Sequence, residues 1–262
     1  MRTKYLLLSA LIIGFFACQK EPDGDLLSPS ACTLEKIIFY DSSGAPEDTA
    51  VLTYTGNDVT RVDLGPIYIK LDYTNGKVSK RNILAAGSST VVYYDQFSYN
   101  AEGKISKVES YFAGLGAPFM YYSYDYTYSG GKLTTILEKQ DTSSTGGMPL
   151  VPTYEYTFTY TGNNITQMVE KDLFTNTVSD TYTYTYDNKP NYFSKIPNLF
   201  YYETLFLDLY TPNLPIGLSE NNVIGFADSF GTTALSHTEE NGNLKTLSVD
   251  GLKVEMYQYK CQ

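Results

Sequence analysis

One unit returns along this chain and limits what it can become. "LTYTGNDVTRV" (52–62) aligns with "LDYTNGKVSKR" (71–81), "FSYNAEGKISKV" (97–108), "YTYSGGKLTTI" (126–136) and "FTYTGNNITQM" (158–168), with a divergent "YTYDNKPNYF" (184–193) after them. Each copy is an alternating run ending in tyrosine, a tight turn, and an aliphatic residue that opens the next run. Asn75-Gly76, Gly130-Gly131 and Gly162-Asn163 supply residues that tolerate the positive φ of hairpin turns. A recurrent hairpin of this kind builds an antiparallel meander.

The runs alternate with period two, which places their side chains on opposite faces of a sheet. In "TYEYTFTY" (153–160), Tyr154, Tyr156, Phe158 and Tyr160 share one face, and Thr153, Glu155, Thr157 and Thr159 the other. Tyr122, Tyr124, Tyr126 and Tyr128 repeat the scheme, as do Tyr182, Tyr184 and Tyr186. After each turn the pattern changes: Val59 and Val62, Ile105 and Val108, and Leu133 and Ile136 stand three apart. A β-bulge would return each pair to one face and twist the sheet.

The fold expected is all-β: a meander of roughly a dozen strands, strongly curved or closed into a barrel-like sheet, because open edges invite aggregation. Tight turns gather at one end, and segments of variable length, such as "KQDTSSTGGMPLVP" (139–152), at the other. Residues 191–227 break the alternation and predict a short helix or an irregular segment plugging one end. Cys32 precedes the first strand (34–40) and Cys261 ends the last (252–260). Two cysteines in an oxidising compartment suggest a disulfide, and pairing of those two strands would make them neighbours.

The N-terminus predicts export. Arg2 and Lys4 precede an apolar run from Tyr5 to Phe16, the pattern of a secretory signal. Ala17-Cys18 resembles a bacterial lipobox, which implies a signal peptide over 1–17, lipidation of Cys18 and a membrane anchor. Residues 18–31 read as a flexible tether and 32–262 as one β domain. Lys20, Glu21 and Asp23 resemble the signal that sends Bacteroidota lipoproteins to the cell surface, so the expected location is the outer membrane, facing outward. Without residues 1–17, which hold Arg2 and Lys4 and no acids, 17 bases face 29 acids, a charge of −12. That balance, with no basic cluster, speaks against nucleic acid as a partner.

"YTYSGGKLTTI" is similar to a degenerate YD repeat. More closely, the chain resembles Bacteroidota surface lipoproteins with domains of unknown function, one family of which has a porin-like fold. The tyrosine–glycine hairpins over 50–190, "LPIGLSENNV" (214–223) and the closing "YQYKCQ" carry the resemblance. It implies a curved or barrel-like sheet and no known activity. A transmembrane barrel is not expected, since its lipid-facing band must be apolar with aromatics gathered at two girdles.

Motifs for chemistry are sparse. His237 is the single histidine and reads as a solvated loop residue beside "TEENGN". Neither clustered zinc ligands nor a phosphate-binding loop occurs, so no metal, cofactor or catalytic residue is expected. Asp95, Asp125 and Glu155 read as acids of the solvated face. The tyrosine ladder admits two uses, core packing or a binding surface. As a surface, Tyr122, Tyr124, Tyr126, Tyr154, Tyr156, Tyr182 and Tyr184 would stack on sugar rings. The expected function is therefore a non-enzymatic binding or scaffold module, possible partners being a glycan or an envelope protein.

Overall fold

The computed structural model describes residues 32–114, 117–143, 147–196 and 214–261. The expected signal peptide (1–17), the lipidation site Cys18 and the tether (18–31) lie outside the described residues. Sixteen strands follow in order. They are β1 (Cys32–Tyr40), β2 (Pro46–Thr55), β3 (Asp58–Leu64), β4 (Ile67–Thr74), β5 (Lys77–Ala85), β6 (Val91–Tyr99), β7 (Ile105–Phe112) and β8 (Phe119–Ser129). Then come β9 (Lys132–Gln140), β10 (Val151–Thr161), β11 (Asn164–Asp172), β12 (Thr177–Pro190), β13 (Asn221–Asp228), β14 (Gly231–Glu240), β15 (Asn243–Val249) and β16 (Leu252–Cys261). Each pairs antiparallel with its neighbour in sequence, and β1 pairs with β16 to close a barrel. Sixteen exceeds the dozen expected; the first and last strands fall where the sequence placed them, while β13–β15 lie outside the tyrosine repeat. The seam joins Ile37 to Tyr257 and Cys32 to Cys261, which form a disulfide.

The repeat now has a physical reading. Asn75-Gly76 and Gly130-Gly131 each hold two consecutive positive φ angles, 53° and 75°, and 56° and 79°. That handedness matches the twist of the flanking strands. One residue past each turn-facing aliphatic, the register slips: Tyr54 faces Val59 while Thr53 faces Arg61, leaving Thr60 unpaired. Ser79, Ser106, Thr134 and Thr166 occupy the same place in their hairpins. A hydroxyl suits this bulge, because it donates to the strand opposite: Thr60 to the Thr53 carbonyl (3.3 Å), Ser79 to Asp72 (3.2 Å), Thr134 to Thr127 (3.1 Å), Thr166 to Thr159 (3.3 Å). The slip turns Val59 and Val62, and Leu133 and Ile136, onto one buried face, as the spacing predicts.

The tyrosine that closes each run latches one hairpin to the previous one. Its hydroxyl donates to the carbonyl of the first aliphatic residue there: Tyr73 to Val59 (2.7 Å), Tyr99 to Val78 (2.6 Å), Tyr128 to Ile105 (2.9 Å), Tyr186 to Ile165 (2.5 Å). Lysines after the turns reach the other way. Lys77 donates to the Gly103 carbonyl of the next hairpin at 2.7 Å and lies 5.1 Å from the Tyr99 ring. Lys104 and Lys132 repeat both contacts, with Gly131 and Tyr128, and with Gly162 and Tyr160. Each contact requires the turns to stand side by side around the ring.

Round barrels of sixteen strands enclose an aqueous channel. Here the inner face is mostly aliphatic and aromatic, and Val59, Ile69, Val108, Ile136, Ile165 and Met168 are fully buried. The interior is thus a packed core. The tight-turn end is filled by the chain between β12 and β13, where Phe193–Lys195 form a 3-10 turn and Leu214–Leu218 a short helix, α1. Asn191 ties them together, its side-chain amide donating to the carbonyls of Ile216 (2.5 Å) and Ser219 (2.8 Å). Phe193 and Ile196 point into the core. The expected plug is present in the described part of 191–227, and residues 197–213 lie outside it.

The outer face is charged: Arg61 pairs with Asp63, Lys70 with Asp72 (2.8 Å), Lys107 with Glu109 (2.6 Å) and Lys139 with Asp125 (2.6 Å). Exposed pairs of this kind add little stability, but a band of them cannot face hydrocarbon. The barrel has a mainly apolar inside and a charged outside, the inverse of a membrane pore.

Candidate functional site

The tyrosines separate by depth along each strand. Tyr124, Tyr126, Tyr156 and Tyr184 are core residues, between 1% and 8% exposed. They cannot serve as an exposed sugar platform, and most of the ladder is packing. Tyr122, Tyr154 and Tyr182, nearer the variable-loop end, are half-buried. Inside the barrel, burial pushes phenols up, Tyr182 to about 12 with Asp180 and Glu170 adding to the effect.

Around those three, the inner lip of the loop end gathers aromatic rings that the repeat did not announce. Tyr93 begins β6, Phe112 ends β7, and Phe119 and Tyr121 begin β8, around the 113–118 connection. Tyr93 packs on Phe112 (5.0 Å between centroids) and on Tyr121 (5.9 Å). Phe112 meets Phe119 at 5.6 Å, and Tyr121 meets Tyr122 at 4.9 Å. Tyr93 remains 38% exposed, so the cluster opens to solvent. The signal in the sequence was partial: aromatics at strand ends beside a variable loop, of which Phe119 and Tyr121 have the parity opposite to Tyr122 and Tyr124 and reach the inner lip through the register slip between Ser110 and Tyr111.

Polar groups continue the arc. Gln140 donates to the Tyr122 hydroxyl at 2.9 Å. Glu138 accepts from Thr153 at 2.8 Å and from Tyr156 at 3.4 Å. On β11 and β12, Glu170, Asp172 and Asp180 stand beside Tyr154 and Tyr182. Burial raises the Glu170 carboxyl, and the charges of Asp180 and Asp172 raise it further. Burial also acts upward on Asp180, but the Thr181 and Ser229 amides and the Ser229 hydroxyl outweigh it and hold the carboxyl low. Arg81 also faces inward, and it is consumed one layer deeper. Its Nε lies 2.6 Å from the Asp95 carboxylate, which also accepts from Ser110 at 2.5 Å. Among the described residues no group of acids, histidines and cysteines has the geometry to hold a metal ion.

Two expectations need correcting. His237 is not a solvated loop residue. It lies in β14, its alternation turns the ring inward, and it packs on Tyr192 (6.2 Å) and Phe193 (6.0 Å) of the plug. The turn begins later, at Asn241-Gly242. Burial lowers the His237 pKa, against the opposing charge of Asp187. Asp95, Asp125 and Glu155 do not share the solvated face. The register turns Asp95 inward beside Phe97 and leaves Asp125 outside with Lys139. β7 and β9 separate the three strands.

The arc therefore combines apolar ring faces with hydrogen-bond acceptors at an open end, on seven consecutive strands from β6 to β12. Comparison with known proteins bears on the frame that carries it. The structure is similar to a porin-like protein from Bacteroides uniformis, with a TM-score of 0.54 and 16% identity over 90% of this chain and 100% of that one. It is also similar to a porin-like protein from Bacteroides vulgatus, with a TM-score of 0.54 and 13% identity over 88% and 99%. The likeness is one of fold. No family model and no curated protein matches the chain.

Proposed function

We propose that this chain is a lipid-anchored, outward-facing barrel of the outer membrane of a Bacteroides-like bacterium, and that its loop-end lip binds a glycan without catalysis. The observation that carries the reading is the open aromatic–carboxylate arc from Tyr93 to Tyr182. Sugar rings present apolar C–H faces that stack on aromatic rings, and hydroxyls that donate to acceptors such as Glu170 and Asp172. Similarity to porin-like Bacteroides proteins and the lipobox-like Ala17-Cys18 support the location.

Affinity electrophoresis of residues 19–262 against neutral, acidic and amino polysaccharides tests the binding. Retardation is expected with at least one glycan and should be lost in Tyr93→Ala/Phe119→Ala, whose side chains lie at the lip. Retardation that survives those changes, or none across the panel, refutes the lip as the site. Labelling of the full chain by palmitate, abolished in Cys18→Ala, tests the anchor.

A second reading, a structural or adhesion protein that contacts other proteins, draws on a different part of the same end.

A further inference from the structure

Exposed apolar tips line the rim outside the lip. Phe174 is 66% exposed and Phe230 93%, with Val178 at 59% and Leu252 at 53%. Phe174 and Phe230 lie in the β11–β12 and β13–β14 connections at the loop end, where Val178 and Leu252 stand at the starts of β12 and β16. Single exposed apolar residues are ordinary on soluble proteins. These two phenylalanines differ because the chain builds the same device twice and fixes both copies.

Each phenylalanine follows an aspartate by two residues, in Asp172-Leu173-Phe174 and Asp228-Ser229-Phe230. Asp172 Oδ1 accepts from the Phe174 amide (2.7 Å) and the Thr175 amide (3.0 Å). Asp228 Oδ1 accepts from the Phe230 amide (2.8 Å) and the Gly231 amide (3.0 Å). An aspartate that ties the amides beyond it holds a turn in one conformation. The second turn is also fastened to its neighbour, since the Ser229 amide and hydroxyl reach Asp180 at 3.1 and 3.0 Å. β12 leaves the first turn and pairs with β13, which enters the second. The two rings therefore stand on adjacent turns as pre-set prongs. An aromatic anchor whose backbone is already ordered loses little entropy on docking.

We propose that Phe174 and Phe230 form a docking surface for a protein partner whose contact face holds apolar pockets bordered by lysine or arginine. Charge selects that occupant. On the rim outside the lip Asp172, Asp228 and Asp250 stand against Lys171 and Lys253, and Glu170 and the buried Asp180 lie just inside it, in a chain of net charge −10. An excess of acid repels an anionic lipid surface and a second copy of this acidic chain, and attracts a basic protein face. Cys32, the first described residue, lies beside Cys261 at the end of the barrel opposite the prongs.

The test places p-benzoylphenylalanine at 174 or at 230 in the full chain, in native cells, with 224 as a control on the exposed outer face of β13. Irradiation is expected to join both prong positions to the same protein, through peptides rich in lysine or arginine. The yield should fall several-fold when salt is raised to about 0.5 M, where charge attraction is screened, and position 224 should give no such adduct. Different proteins at the two positions, adducts with lipid or with a second copy of the chain, or no adduct at either prong would overturn the proposal. Both tips are exposed, so the replacements leave folding intact and a negative result is informative.

Discussion

Breaking the seam disulfide should cost this barrel a large part of its stability. Cys32→Ser, Cys261→Ser or both removes a cross-link between residues 229 apart. In the chain-entropy description the cross-link stabilises by restricting the unfolded chain, and a loop of that length corresponds to about 5 kcal/mol at 25 °C. Domains have total stabilities of about 5–15 kcal/mol, so the loss is severe although the β1–β16 pairing can still form. The assay is urea unfolding of residues 19–262, followed by far-ultraviolet circular dichroism and by tyrosine emission, with 26 tyrosines and no tryptophan in the chain. The midpoint should drop steeply in all three variants and by the same amount, since either change breaks the one bond. The denaturant dependence should steepen, because an uncross-linked unfolded chain exposes more surface. A loss below about 1 kcal/mol with an unchanged slope would sink the reasoning, because a cross-link closing so long a loop should cost several times that.

Other perturbations probe the interior. Asp95→Asn should destabilise by about 3–5 kcal/mol by removing the carboxylate charge that faces the buried Arg81, whereas Arg81→Met with Asp95→Leu should recover most of that loss in a thermal or urea melt. Tyr128→Phe, which deletes one latch to the Ile105 carbonyl, should cost about 1 kcal/mol; a loss as large as the Asp95 change would mean the ring packs differently. The pH dependence has two opposing parts. Glu170 is raised on folding, so its contribution is greatest at low pH and is lost as pH rises through the raised value, and Glu170→Gln should stabilise the protein at neutral pH. His237 is lowered on folding, so the unfolded state binds the proton first and stability falls as pH drops below about 6.5. His237→Phe should flatten that part of the stability–pH curve, and an unchanged slope would place the acid sensitivity elsewhere.

Much of this barrel is written locally. Asn75-Gly76 and Gly130-Gly131 specify hairpins because few other residues adopt positive φ, and strict alternation assigns tyrosine to one face and threonine to the other. The aliphatic pairs three apart announced a bulge, since a regular strand would have split them. Such signals act within a dozen residues and survive without knowledge of the rest of the chain. Cys32 and Cys261 were legible as a pair for another reason, being the two cysteines that bound the domain.

Other properties depended on residues distant in sequence. Closure at sixteen strands rests on β1 meeting β16, and no local pattern counts strands. Collapse of the interior into a packed core decided that Tyr124, Tyr126, Tyr156 and Tyr184 pack while Tyr122, Tyr154 and Tyr182 remain at the lip, although alternation treats all seven alike. Depth along the barrel axis separates them, and a period of two encodes face but not depth. Arg81 found Asp95, and His237 found Phe193, only through register and plug. The lip arc is likewise a tertiary object, because seven strands must stand side by side before their ends can form one edge. The sequence by itself thus determined the hairpin, its turn, its bulge and its two faces, whereas the ring of hairpins determined what each face would meet.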